Sequence, residues 1–254
     1  MKQKISITLD NNLLRQIDKV CENRQMHRSR YIEILLKKDF EEIPVLILTS
    51  KGKLNGKPKS LIDYNGKKII DHQLKYLRRH DFYNINVATD SRLVEDYIKR
   101  QYKNVNVLYE KDRLTSSGSI KKWGKELGKQ FLVMHGDIIA GIDLKKLVSF
   151  HQDNKSSVTL VLKSMYPYNK YGVAVLEGSR VYSFSEKPEK SKTYLCYIGI
   201  SIFNQAVLDV LEENQHYTGQ LNKIYQKHGY VFEGFWQSFK TLDDLKRIEE
   251  EMID

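Results

Sequence analysis

Residues that could bind phosphate are concentrated in segment 51–59, directly after an apolar run. That run, Val45–Leu48, is short enough for a fully buried strand. The segment contains four lysines and two glycines, namely Lys51, Lys53, Lys57, Lys59, Gly52 and Gly56. At the end of a buried strand, backbone N–H groups and lysine charges together favour an anionic ligand. The composition predicts a phosphate-binding loop, although a lysine-rich surface loop would look the same.

A carboxylate that could hold a metal ion follows a second apolar run, FLVMHGDI. Asp137 stands at the end of this run, and Gly136 before it would allow a ligand to approach closely. A carboxylate just past a buried strand can bind a hard divalent cation. The alternative is an ordinary turn aspartate that caps the following segment.

Alternating strands and helices would position these residues. From residue 45 onward, periodicity predicts strands at 45–48, 85–89, 105–109 and 131–134, and helices at about 69–77, 92–101, 120–127 and 144–151. Such alternation predicts an α/β fold, with a Rossmann-like, mixed, mostly parallel sheet and helices on both faces. Ligands in such sheets bind outside the carboxyl ends of the strands. Two more candidates follow later strands: Glu186-Lys187 after VYSFS, and Gly199, which leaves room for a ligand or another backbone.

The first forty residues have a different pattern, with a net charge of +4. Residues 4–9 alternate strictly between polar and apolar side chains, as in a strand with one buried face. Asp10 offers a cap for a helix over residues 13–24, and a second amphipathic run covers residues 29–40. Three such short elements cannot bury their apolar faces alone, so a second copy of the chain is expected to complete the core.

The order and spacing of these elements resemble the ribbon-helix-helix family of DNA-binding repressors. The resemblance implies a homodimer, with tetramers left open, whose paired strands lie in the major groove of an operator. It also implies that Lys4, Ser6 and Thr8 would read base edges, while Arg28 and Ser29 would hold a backbone phosphate. The alternative is a dimerisation arm without DNA contact.

Five segments of the remaining chain occur in an order that carries a second resemblance. They read KPKSLIDYNGKKIIDHQL, SSGSI, FLVMHGDI, YGVAVLEGSRVYSFSEKP and YIGISIFN. They are similar to the sugar-phosphate nucleotidyltransferases, which have a glycosyltransferase-A-like fold, join a nucleoside triphosphate to a sugar 1-phosphate and release pyrophosphate. The resemblance implies the following roles: Lys59 in phosphate binding, Asp137 as a Mg²⁺ ligand, Gly118 against the base or sugar, Gly172 against the sugar, Glu186 on sugar hydroxyls and Lys187 near the sugar phosphate.

Two positions depart from the pattern of that family. The family's signature loop contains an arginine that grips the triphosphate, whereas this chain has TSKGKLNG, where Lys51 or Lys53 could supply the charge. A lysine cannot reproduce the bidentate fork of an arginine. The family's second metal-binding aspartate is replaced by Ser238, with Lys240 in place of a nearby glycine. A weakened Mg²⁺ site is therefore expected.

Composition agrees with a chain of two domains, at residues 1–42 and 43–254. The net charge of +10 favours polyanionic partners such as nucleic acid or nucleotides. Two widely separated cysteines argue against a disulfide scaffold or zinc site, and the lack of a signal peptide or long apolar run predicts a cytoplasmic protein with no membrane partner. The combined expectation is a DNA-binding transcriptional regulator whose degenerate C-terminal domain senses a nucleotide, sugar phosphate or nucleotide sugar. The alternative is an active Mg²⁺-dependent nucleotidyltransferase with an N-terminal dimerisation or DNA-tethering module. An antitoxin-like repressor is disfavoured by the size of the second domain.

Overall fold

The chain divides into two compact units, Met1–Glu42 and Ile43–Asp254. The computed structural model describes residues 6–33, 43–50, 52–239, 241 and 244. In the described part, no helix is both long enough and apolar enough to cross a membrane. The two units are described separately below.

The larger unit is an α/β structure. Its strands are β1 Val45–Leu48, β2 Lys53–Leu54, β3 Lys57–Pro58, β4 Asp63–Tyr64, β5 Lys67–Lys68, β6 Ile85–Thr89, β7 Asn106–Tyr109, β8 Gln130–His135, β9 Ile138–Ala140, β10 Val158–Ser164, β11 Gly172–Glu177, β12 Arg180–Glu186, β13 Leu195–Asn204, β14 Lys227–Val231 and β15 Trp236–Ser238. The N-terminal unit contains helix α1 Asn11–Asn23, and the larger unit contains α2 Ile69–Arg79, α3 Arg92–Gln101, α4 Ser116–Gly124 and α5 Leu144–Asp153. Short 3₁₀ segments occur at Lys59–Leu61, Tyr168–Lys170, Gln205–Asp209 and Tyr217–Lys223.

Nine of these strands form one sheet, in the order β10-β14-β12-β11-β13-β8-β1-β6-β7. Strands β8, β1, β6 and β7 are mutually parallel, and β13 joins them antiparallel to β8. The prediction of a mostly parallel sheet is therefore wrong beyond β8, where only β10 and β14 pair in parallel. One reason is that the turn between β11 and β12 has only two residues, and so short a connection can join only antiparallel strands.

The core lies on both faces of the sheet, as a buried central strand requires. Val45 and Ile47 of β1 pack into one apolar cluster, and Leu46 and Leu48 pack into the other. All four side chains are at most 5% exposed. The continuous apolar run thus marks a strand that is covered on both sides.

The N-terminal unit differs from the prediction in its first element. Residues 6–9 form no strand in the described part of the chain, and Ser6 and Thr8 are exposed there, while Lys4 lies outside it. A short strand without a neighbour to pair with is not stable in water, so the alternation alone did not fix a strand. Helix α1 begins as predicted after Asp10, whose carboxylate accepts hydrogen bonds from two backbone N–H groups.

The second N-terminal helical segment contains Arg28 and Ser29 and is described over residues 28–33, so most of the predicted run lies outside the described residues. The Arg28 guanidinium forms a solvent-exposed bidentate ion pair with Asp18 of α1, with 2.7 Å between Nη2 and Oδ2.

Candidate active site

A cavity of about 600 Å³ opens at the carboxyl ends of β1 and β8. It is the place where ligands bind in sheets of this kind. Six residues that the sequence singles out line it, namely Lys59, Asp137, Gly172, Glu186, Lys187 and Gly199. Residues separated by up to 140 positions in the chain therefore share one cavity wall.

Lys59 and Asp137 form an ion pair at the floor of the cavity. Lys59 Nζ lies 3.7 Å from Asp137 Oδ2, and the two side chains are only 17% and 15% exposed. Lys59 starts the 3₁₀ turn that follows the β2–β3 hairpin, and Asp137 lies in the turn between β8 and β9. The pair places one cation and one carboxylate side by side at the cavity.

The turn that carries Asp137 is held closely against the end of β1. Gly136 N donates to Leu48 O at 2.8 Å, and Phe239 N donates to Asp137 O at 2.8 Å. A Cβ at Gly136 would lie 2.7 Å from Thr49 Cγ2 and 3.0 Å from Leu48 O. Glycine is therefore required by the close approach of the two backbones.

Glu186 and Lys187 form the opposite wall, at the end of β12. Gly172 is the register partner of Glu186, and a Cβ there would lie 2.9 Å from Glu186 Oε2 and 2.2 Å from the Phe184 ring. Lys187 has a left-handed backbone (φ 46°), and its N–H donates to Tyr171 O at 3.0 Å. A strained backbone at a cavity wall indicates that the surrounding structure fixes this lysine in place.

Gly199 faces His135 across the cavity floor. Its φ is +87°, and a Cβ there would lie 3.0 Å from His135 Nδ1. His135 is linked through Nε2 to the Tyr217 hydroxyl at 3.1 Å, and Tyr217 in turn contacts the hydroxyl of Tyr197. Burial raises the pKa of both tyrosines, so their hydroxyls stay neutral hydrogen-bonding groups beneath the cavity.

Two of the predicted ligand-binding residues, Lys53 and Gly118, do not line the cavity. Lys53 is exposed in the β2–β3 hairpin, and Lys51 lies outside the described residues. Gly118 is buried in the first turn of α4, where a Cβ would lie 3.1 Å from Glu213 O. Its N–H donates to the Thr115 side chain, which caps the helix. The structure thus gives Gly118 a packing role, and among the described lysines of the loop Lys59 lines the cavity.

Comparison with known proteins identifies the family. The model of the nucleotidyl transferase family matches residues 54–245. The chain belongs to this family. Two curated relatives are a D-glycero-α-D-manno-heptose 1-phosphate guanylyltransferase of Aneurinibacillus thermoaerophilus (23% identity, 77% of this chain and 89% of the relative) and a mannose-1-phosphate guanyltransferase of Neurospora crassa (28% identity, 74% and 56%). The nucleotidyl transferase spans just over half the length of the mannose-1-phosphate guanyltransferase from Neurospora.

A solved structure supports the same fold. HddC from Yersinia pseudotuberculosis superposes with a TM-score of 0.72 at 19% identity, over 83% of this chain and 99% of that chain. A second structure of the same protein, complexed with GMP-PN, gives a TM-score of 0.71. The α/β fold of nucleotidyltransferase type is therefore confirmed.

These findings overturn the expectation of a DNA-binding transcriptional regulator. The relatives are named as sugar-1-phosphate guanylyltransferases, and none of the comparisons supports a ribbon-helix-helix module. The predicted DNA contacts at Lys4, Ser6, Thr8, Arg28 and Ser29 depended on that module and stay untested predictions. The alternative that the sequence left open, a nucleotidyltransferase, agrees with the comparisons.

The donor atoms near Asp137 decide what kind of metal site is feasible. Ser238, at the position where the sequence resemblance expects the family's second carboxylate, pairs with Ile138, the neighbour of Asp137. The described residues contain no group of three His, Cys, Asp or Glu side chains that could hold a metal ion. Mg²⁺ commonly binds through one or two carboxylates plus substrate phosphates. This donor set fits a Mg²⁺ ion that arrives with a nucleotide, and it does not fit a metal ion held by protein ligands alone.

Sequence reasoning missed several residues at the cavity. His135, Tyr197, His216 and Trp236 line it, and Tyr217 lies directly beneath it. His135 carries one usable signal, because it is the last residue of a buried strand and precedes Gly136. The tyrosines had no such signal, because buried tyrosines in strands and turns look the same whether or not they lie under a cavity.

Proposed function

We propose that this nucleotidyl transferase is an active, Mg²⁺-dependent sugar-1-phosphate guanylyltransferase. In the reaction, a phosphate oxygen of the sugar 1-phosphate attacks the α-phosphorus of GTP. A new P–O bond forms, the bond to the β-phosphate oxygen breaks, and pyrophosphate leaves with the bonding electrons. The observation that carries the proposal is that Lys59 and Asp137 share one cavity with Glu186 and Lys187.

The two walls of the cavity suggest a division of labour. Lys59 would bind and neutralise the phosphates of the nucleotide, and Asp137 would hold Mg²⁺, which supplies charge neutralisation for the displacement. Lys187 would bind the phosphate of the sugar, while Glu186 accepts hydrogen bonds from sugar hydroxyls. Gly172 would let the sugar approach the backbone. Positioning and electrostatic stabilisation dominate this class of reaction, so no side chain has to act as a covalent nucleophile.

The nucleotide and sugar are proposed from the named relatives. Both curated relatives described above are guanylyltransferases, and both of their named sugars have the manno configuration. We therefore propose GTP and a manno-configured sugar 1-phosphate as substrates. Glu186 is the carboxylate of the cavity wall that would contact the sugar hydroxyls and favour one configuration.

The test is pyrophosphate release from GTP and mannose 1-phosphate in the presence of Mg²⁺. Glucose 1-phosphate and the other three nucleoside triphosphates serve as competing substrates. Asp137→Asn is expected to lose at least about a hundredfold in kcat/KM, equivalent to about 2.7 kcal/mol of transition-state stabilisation. Asp209→Asn, on an exposed carboxylate outside the cavity, is the matched control. Absence of turnover with every pair, or turnover that Asp137→Asn leaves intact, would refute the proposal.

A further inference from the structure

A buried glutamine supports the turn that carries Asp137. Gln73 projects from α2 and is only 1% exposed. Its Nε2 donates to His135 O at 2.7 Å and to Ile138 O at 2.8 Å. These two carbonyls flank Gly136 and Asp137 on either side. Because both acceptors are carbonyl oxygens, only the NH₂ end of the amide can face them, and the orientation of the side chain is fixed.

We propose that Gln73 is a positioning residue that fixes the backbone of the Asp137 turn and thereby the placement of the Asp137 carboxylate. As far as it concerns catalysis, the inference rests on the proposed function. The turn is already tied to Leu48 O through Gly136 N and to Phe239 N through Asp137 O. Gln73 adds a tie from the helical layer, so the turn is held from three directions.

The oxygen of the same amide makes it possible to separate a positioning role of Gln73 from a contribution to overall stability. Gln73 Oε1 is buried and has no hydrogen-bond partner among the described residues. An unpaired buried acceptor is unfavourable, whereas Nε2 makes two favourable hydrogen bonds to carbonyls of the Asp137 turn. Gln73→Met would remove the unfavourable oxygen and also remove these two hydrogen bonds, at similar side-chain volume. The two effects oppose each other in overall stability, but both carbonyls belong to the Asp137 turn, so local order there should fall.

Hydrogen exchange of the unliganded protein tests the local part of the inference. In Gln73→Met, the backbone amides of residues 136–139 are expected to exchange at least about tenfold faster than in the native protein. Gln220→Met is the matched control, because Gln220 is equally buried and its Nε2 bonds Ser117 Oγ and Glu212 O instead. The control is expected to leave exchange at residues 136–139 unchanged. If Gln73→Met does not fold, Gln73→Glu keeps the shape and replaces the donors with a carboxylate, and the same increase is expected at pH 8.

Binding of Mn²⁺ and GTP tests the link to Asp137. Gln73→Met is expected to weaken Mn²⁺-dependent GTP binding about tenfold in the native background and to have no further effect in Asp137→Asn. A merely structural role would weaken binding equally in both backgrounds. Unchanged exchange at residues 136–139, an equal increase in Gln220→Met, or additive effects with Asp137→Asn would each overturn the inference. Exchange does not depend on turnover, so an inactive native protein with faster exchange in Gln73→Met would refute only the proposed function.

Discussion

Restoring a second carboxylate at Ser238 should turn a metal site that depends on nucleotide phosphates into one that binds Mg²⁺ more tightly. Ser238 is 2% exposed and pairs with Ile138 across the β9–β15 ladder. Ile138 and Trp236 line the cavity. Ser238 is on the same face of the ladder, because it pairs with Ile138 and is two residues from Trp236 in its own strand. In Ser238→Asp, the new carboxylate would therefore lie opposite Ile138, the residue that follows Asp137.

The magnitude follows from opposing electrostatic terms. A unit negative charge about 4 Å from a divalent cation gains roughly 8 kcal/mol at an effective dielectric constant of about 20, while two carboxylates about 5 Å apart repel by roughly 3 kcal/mol. Burying the new carboxylate costs several kcal/mol more. Because the repulsion and the burial act in the metal-free protein as well, the Mg²⁺ affinity rises by the attraction less the cost of dehydrating the ion. We expect a gain of at least about 2 kcal/mol, or roughly a thirtyfold increase in Mg²⁺ affinity. Without metal, nothing compensates the repulsion and the burial, so the free energy of unfolding should fall by at least about 3 kcal/mol and Tm by at least roughly 6 °C.

Thermal unfolding with and without Mg²⁺ measures both effects at once. Ser238→Asp should melt below the native protein in EDTA and recover most of the difference as Mg²⁺ is added, while pyrophosphate release should reach half its maximum at a lower Mg²⁺ concentration. Ser238→Asn, with the same size and no charge, should show neither response. The reasoning is wrong if Mg²⁺ stabilises Ser238→Asp no more than the native protein, or if Ser238→Asn gains equally.

Three further outcomes are expected. Gly172→Ala places a Cβ 2.2 Å from the Phe184 ring. The change should raise KM for the sugar phosphate about tenfold and leave KM for GTP within about twofold. Equal changes in both KM values would contradict the proposed placement of the sugar against Gly172. Burial and neighbouring positive charge lower the pKa of His151 to about 4, against about 6.5 in an unfolded chain. Between these two pH values the unfolded state therefore binds more protons than the folded state. The free energy of unfolding should fall by up to about 3 kcal/mol as pH drops from 6.5 to 4. Denaturant titrations should show a smaller pH dependence for His151→Gln. Ile7 and Leu13 are exposed in the N-terminal unit, so light scattering should give about twice the 29.9 kDa chain mass, and a double change of both residues to Ser should give the monomer mass.

Buried, regular segments were predictable because apolar periodicity reports directly on burial. Val45–Leu48, Ile85–Thr89 and Arg92–Gln101 have the predicted bounds. Helix α4 was placed four residues too late, because its first turn, Ser116–Ser119, is polar and carries no apolar period. Its start is set instead by the Thr115 cap, a signal that periodicity does not contain.

The two small hairpins before α2 show a readable signal that the periodic pattern hides. Each turns at an Asn-Gly pair, at residues 55–56 and 65–66, and all four residues have positive φ. This dipeptide is a strong indicator of a two-residue hairpin. The first hairpin also explains why Lys59 lines the cavity and Lys53 does not. Lys53 is exposed and pairs with Pro58 in the hairpin, whereas Lys59 begins the 3₁₀ turn that follows it.

Residues that converge through long-range register could not be predicted from local sequence. His135 meets Tyr217 across 82 positions, and Gln73 meets the Asp137 turn across more than sixty. None of these side chains has a spacing that indicates a shared site. The resemblance of five ordered segments supplied that information for Lys59 and Asp137, because it carries the fold along with the residues.

The N-terminal segment illustrates the opposite case, in which a local pattern is compatible with too many structures. The alternation over residues 4–9 and the net charge of +4 in the first forty residues fit a DNA-reading strand, a dimerisation arm or an irregular extension equally well. The comparisons give no support to the DNA-reading strand.

The departures from the family pattern at the signature loop and at Ser238 likewise carry limited weight against catalysis. Charge neutralisation in phosphoryl transfer is shared among several groups, so the loss of one group lowers the rate without removing the reaction. The proposed reaction most needs a cation and a carboxylate held close together in the cavity, and Lys59 and Asp137 lie 3.7 Å apart there.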